Sequence, residues 1–183
     1  MKYVMTILAL LLPSLALAHG GHEQALLSVG IAQGFLHPLL GIDHLIALLA
    51  VGVLAARLEG KQKWMVPLSF MALMLAGFFA AHAGMHLVSA GTIEMLITVS
   101  LVAAAVFVVL GQTMLKSGVF HNVAAWGITG FAAAHGMAHG LEIPAGADAQ
   151  GFAAGFALAC LSIMAGAIYL LSIIDKRKAL KAA

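Results

Sequence analysis

The sequence predicts an all-α fold, a polytopic transmembrane helical bundle of about five spans. A cleaved signal peptide precedes a broken or half helix, and an internal two-span repeat follows. Three observations predict this. The 183 residues are 63% hydrophobic and 9% charged, with a mean hydropathy of +1.06, whereas ordinary globular domains carry about 25% charged residues. Apolar stretches of about 20 residues recur, the length a helix needs to cross a bilayer. Short basic clusters separate them, in the manner of topology signals. This composition excludes a soluble enzyme, a nucleic-acid binder and a disordered chain. The one cysteine, Cys160, lies in an apolar run and has no intramolecular partner.

At the N-terminus, Lys2, an apolar run over 3–12, Pro13 and Ala16-Leu17-Ala18 form the three parts of a signal peptide spanning residues 1–18. Cleavage after Ala18 leaves 19–183 as a single transmembrane domain, beginning outside the cytoplasm at His19. The free amine, His19 and His22 make a weak peripheral metal site. Residues 25–56 are too long for one straight span and too short for two. Pro38 removes a backbone donor and disfavours helix at His37, while Gly34 and Gly41 loosen the same stretch. A half-helix over 25–36, a break, and a helix to 56 fits best. Broken membrane helices are tolerated where they line a cavity, and they often build substrate sites.

The basic loop 57–63 leads to a second span over 64–88, the uncharged turn 89–91 and a third span over 92–115 closed by Lys116. A fourth span covers 120–139, the loop 140–150 carries Glu142 and Asp148, and a fifth span covers 151–174 before the basic tail. Under the positive-inside rule, Arg57, Lys61, Lys63, Lys116 and the tail are cytoplasmic. The mature N-terminus is then outside the inner membrane and the C-terminus inside. Gly151 and Gly155 form a G-x-x-x-G that packs helices within the monomer or in a homo-oligomer. Residues 77–86 and 130–139 share G-F-x-A-A-H-x-x-x-H without gaps, as a duplication of 64–115 and 120–174 would produce.

Six histidines fall in the outer half of these spans: His37, His44, His82, His86, His135 and His139. Ionisable groups inside a bilayer are costly and functional by default. His82 with His86, and His135 with His139, are spaced i, i+4 and share a helix face. His37 and His44 would lie about 10 Å apart along a straight helix, and the break lets them fold together. Asp43 and Glu142 supply negative charge for a divalent cation. Imidazole with carboxylate suits nickel, cobalt, zinc, copper and iron. His121, at an inner end, reads as interhelical polar glue, and most of the ten methionines read as packing.

Two of these segments carry a resemblance. His37-Pro38-Leu39-Leu40-Gly41-Ile42-Asp43-His44 resembles the H-P-x-x-G-x-D-H signature of the HupE/UreJ nickel permeases. His135-Gly136-Met137-Ala138-His139-Gly140-Leu141-Glu142-Ile143-Pro144 resembles their second signature, H-G-x-x-H-G-x-E-x-P. Ala134 departs from the Phe that members often carry there. The resemblance implies secondary uptake of nickel, or cobalt, for hydrogenase or urease maturation, with no prosthetic group. The expected ligands are His37, Asp43, His44, His135, His139 and Glu142, with His82 and His86 as a secondary or way-station pair. The chain has no phosphate-binding loop, so the expected permease is not an ATPase and not an enzyme. The alternative is an intramembrane metalloenzyme whose H-x-x-x-H boxes retain di-iron or zinc; a metal sensor or accessory subunit is a third reading.

Overall fold

A computed structural model describes residues 30–85, 88–113, 117–143 and 146–182. The signal peptide, His19, His22, His86, Lys116 and Pro144 lie outside the described residues, as does the side chain of Asp43. Among the described residues every regular element is a helix: α1 (Ile31–Leu40), α2 (Ile42–Ala56), α3 (Gln62–His82), α4 (Ala90–Thr113), α5 (Gly118–Thr129), α6 (Ala132–Glu142) and α7 (Ala149–Ala182). Among the described residues, three segments are long and apolar enough to cross a membrane: Gln62–His82, Ala90–Gly111 and Ala149–Lys181. The α1–α2 pair makes a fourth if its bend is counted as one span. The chain is therefore a multi-pass helical membrane protein.

The break in the first crossing differs in position from the sequence expectation. Helix α1 runs through Pro38, and the turn falls at Gly41. Pro38 removes the bond to Gly34 O, but the His37 carbonyl still accepts from Gly41 N at 3.1 Å and closes the last turn. Gly41 is extended, with φ −82° and ψ 106°, and its own carbonyl starts α2 by accepting from Leu45 N at 2.9 Å. One residue thus separates two complete helices, and the bend is 80°.

The stretch expected as a fourth span is also divided. Helices α5 and α6 are separated by Gly130 and Phe131. There the bonds tighten to i→i+3, from Phe131 N to Ile128 O at 3.0 Å and from Ala134 N to Phe131 O at 3.0 Å. Ser117 caps α5 by accepting from Phe120 N at 3.2 Å. His121 does not serve as interhelical glue. Its Nδ1 donates to Ser117 O of its own chain segment at 2.9 Å, and its Nε2 is buried without a partner.

Helix α7 is the centre of the core. Its Phe152, Phe156, Cys160, Met164 and Ile168 are buried along one side. Small residues let backbones meet, as expected where lipid supplies no hydrophobic drive between helices. A methyl at Gly34 would strike Phe152, and one at Gly155 would strike Ile31 and Phe35. On the other side of the bundle, Gly136 and Gly140 seat α6 directly on the backbone of α3 at Met74 and Phe78. Apolar residues on the outer faces, among them Val99 and Val102 of α4 and Leu158 and Leu170 of α7, remain exposed and suit lipid.

These contacts fix relative direction. Gly34 meets Phe152, Gly52 meets Met164, and Arg57 pairs with Asp175 at 2.9 Å, so the bent α1–α2 arm runs parallel to α7. Gly136 meets Met74 and Phe78 while Gly140 meets Phe78 and Ala81, so α6 runs parallel to α3. The Arg57–Asp175 pair also brings the basic loop and the basic tail to one end of the bundle.

Candidate metal centre

The bend at Gly41 places two histidines on one concave side. His37 precedes it on α1 and His44 follows it on α2. Their ring centroids are 5.2 Å apart, edge to face. Helix α6 delivers His139, whose ring centroid lies 4.8 Å from His37 and 4.7 Å from His44. The three residues each offer a nitrogen, and these atoms lie within 4.8 Å of one another. His44 Nε2 and His139 Nε2 are 2.8 Å apart, so one ring donates its N–H to the lone pair of the other. A metal ion bound by both nitrogens would replace that shared proton.

The walls are aromatic. Phe156 lies 4.9 Å from His139 and 6.0 Å from His37, and Phe152 lies 5.6 Å from His37. His139 is only 4% exposed, while His37 and His44 are half-buried. Phenyl rings therefore line one side of the imidazole cluster. Glu142, one turn beyond His139 and exposed, places Oε2 3.7 Å from His139 Nδ1. That is too long for a hydrogen bond and close enough to attract a positive charge.

The trio lies far from the basic end. Asp175 is 19 residues beyond Phe156 on α7, about 28 Å at 1.5 Å per residue. The site and the Arg57–Asp175 pair therefore sit towards opposite ends of a bundle about one hydrocarbon core long.

Two of the other expected ligands, His135 and His82, are placed apart from the trio. His135 is not in the trio: its Nε2 contacts Ser100 Oγ of α4 at 2.7 Å. His82 ends α3 with its ring stacked on Phe78, centroids 6.1 Å apart and 16° from parallel. Phe78 in turn stacks on Phe152 at 6.0 Å, so two phenyl rings stand between His82 and His37. Asp43 is helical between Ile42 and His44. Ser100, Phe152 and Phe156 carry no expectation from sequence. The i, i+4 spacing of the two phenylalanines on the G-x-x-x-G helix was a usable signal, since it puts both rings on one face. A lone serine in an apolar span offers none.

A bent helix pair that folds two histidines onto a third, inside a multi-pass helical bundle, defines a membrane protein with a partly buried imidazole cluster. Comparison with known sequences gives its family. The profile described as HupE / UreJ protein matches residues 7–183, and the chain belongs to that family. It is 35% identical over 155 residues to "Protein HupE" of Rhizobium leguminosarum bv. viciae, a match covering 85% of this chain and 75% of that protein. No solved structure matches the chain.

Proposed function

We propose that the chain is an ATP-independent permease that takes a divalent transition metal, nickel or cobalt, across the inner membrane for hydrogenase or urease maturation. The observation that carries this reading is the trio His37, His44 and His139, closed by the bend at Gly41. Neutral imidazoles suit borderline divalent metals, and the carboxylates of Asp43 and Glu142 offset their charge. The trio lies away from the end that gathers Arg57, Lys61 and the tail lysines. By the positive-inside rule that end is cytoplasmic, and the trio faces the outside as a capture site. Five crossings, a cleaved signal peptide and a cytoplasmic C-terminus complete this topology, with α5 and α6 together as the fourth crossing. Weak binding is part of the reading, because a cargo must leave again.

The test is radioactive nickel uptake by cells that lack their own importer, with cobalt, zinc and manganese as competitors. Saturable uptake that cobalt competes for is expected. A purified chain that holds iron or zinc stoichiometrically and moves no nickel would support the metalloenzyme instead.

A further inference from the structure

Helix α5 carries a buried histidine that the metal centre does not use. His121 is 5% exposed. Its Nδ1 lies 2.9 Å from Ser117 O. A carbonyl oxygen can only accept, so Nδ1 holds a proton. In the neutral ring the lone pair is then on Nε2. Among the described residues that nitrogen is buried and has no partner. It lies against α4, where a methyl on Gly111 would stand 3.0 Å from it. An unpaired acceptor in such a place is costly, and the smallest ligand it can take is a proton.

A polar space opens on the neighbouring face of the same turn. Gly118 and Asn122 of α5 line a cavity of about 370 Å³ together with Arg57, Leu58, Glu59 and Gln62. A polar cavity of that size holds water. Charged groups near His121 are few. Helix α5 packs chiefly on α2, α3 and α4, and residues 45–56, 64–81 and 95–113 of those helices contain no ionisable side chain. His121 is itself the one ionisable residue of α5. The charges stand in the cavity and beside it: Glu59, Arg57 paired with Asp175 at 2.9 Å, and Lys61 and Lys63 at the start of α3.

A proton from water on Nε2 makes one N–H bond and breaks no bond within the ring. The product is a cation. Facing Gly111 it would be a buried charge without a partner, far costlier than the neutral ring. A change of staggered rotamer towards the cavity offers it water and the Glu59 carboxylate. Helix α5 leads through the tightened turn at Gly130 and Phe131 into α6, which carries His139. A loosened seam at the start of α5 therefore bears on the metal centre.

We propose that His121 is a proton-binding site at the basic end of the bundle. Taking up a proton turns its ring out of the α4–α5 seam towards Glu59 and slows transport. The site rests on the geometry, and its effect on transport rests on the permease reading.

Two measurements on the full chain test these separately. Phe120–His121 is the one Phe–His step in the sequence. Labelling phenylalanine carbonyl carbons with ¹³C and histidine nitrogens with ¹⁵N therefore picks out His121 in detergent without any variant. At about pH 8 the ring is expected to be protonated at Nδ1 and bare at Nε2, and towards about pH 5 a second N–H is expected to appear. A ring protonated at Nε2 alone at pH 8, or one still neutral at pH 5, overturns the site. The second measurement is nickel uptake by right-side-out membrane vesicles, with the inner pH lowered and the outer pH held. Wild type is expected to lose about fivefold in Vmax, the lower end of usual coupling between two sites. His121→Phe keeps a ring in the seam and has no nitrogen, so its uptake is expected to ignore inner pH. Glu59→Gln is expected to weaken the dependence. Wild-type uptake that ignores inner pH, or a His121→Phe chain that keeps the wild-type dependence, overturns the effect on transport. A wild-type chain that carries no nickel at any pH removes the permease reading, while the spectrum still decides the proton site.

Discussion

Residues 77–86 and 130–139 carry the same G-F-x-A-A-H-x-x-x-H pattern and take different structures. The first copy starts inside an unbroken helix, and its first histidine, His82, ends that helix stacked on Phe78. The second copy starts in the tightened turn at Gly130 and Phe131, and both of its histidines are buried. His139 joins the trio and His135 bonds to Ser100. Sequence spacing predicts one helix face for each pair, but α3 ends at His82, and only His135 and His139 are carried on a single helix. The second copy has Gly136 and Gly140 where the first has Ala83 and Leu87. Those glycines let α6 sink onto α3 and carry its histidines into the core.

The largest expected effect tests the buried copy. Replacing His139 removes one of three nitrogens from a site with no described fourth imidazole. His139→Ala is expected to lower nickel uptake by more than about 100-fold, the upper range for losing a metal-site partner, with normal protein in the membrane. His37→Ala and His44→Ala are expected to match it. Uptake within a few-fold of wild type in His139→Ala would remove the trio from the transport path.

The seating of α6 gives the next effect. A methyl at Gly136 would meet the Met74 carbonyl and the Phe78 nitrogen, both backbone atoms that cannot swing aside. Gly136→Ala is expected to lose about 1–3 kcal/mol of stability, the usual cost of overpacking. The equivalent Ala83 is exposed at the end of α3, and Ala83→Leu is expected to stay within about 0.5 kcal/mol. Thermal unfolding in detergent measures both. A Gly136→Ala protein as stable as wild type would show that small residues do not explain why the two segments differ in structure.

Much of this was legible in the residues, for physical reasons. Apolar length and low charge announce membrane helices because lipid tolerates little else. His37 and His44 stand out because an ionisable group in an apolar span is costly. The position of the break was misread because Pro38 removes only one bond, and the His37 carbonyl still finds Gly41 N. The division of α5 from α6 was missed because Gly130 and Phe131 interrupt no apolar run. Ser100 was invisible because its role comes from His135 across the bundle, 35 residues away in the chain.

The smallest effect asks whether the first copy has any metal role. Among the described residues, His82 meets the trio through Phe78 and Phe152, two stacked rings. If the imidazole is packing, its flat face is what matters and its nitrogens are not. His82→Phe keeps a ring on Phe78 and is expected to leave nickel KM and stability near wild type. His82→Ala loses the stack, at about 0.5–1.5 kcal/mol for an aromatic pair, and is expected to raise KM by less than about tenfold, since a loosened Phe78 disturbs Phe152 and only then His37. The pair of variants separates two accounts that His82→Ala alone would confuse. If His82→Phe transports as poorly as His139→Ala, the nitrogens of His82 handle the cation directly. The first copy is then a metal station in its own right, and the two copies differ in structure without having parted in use.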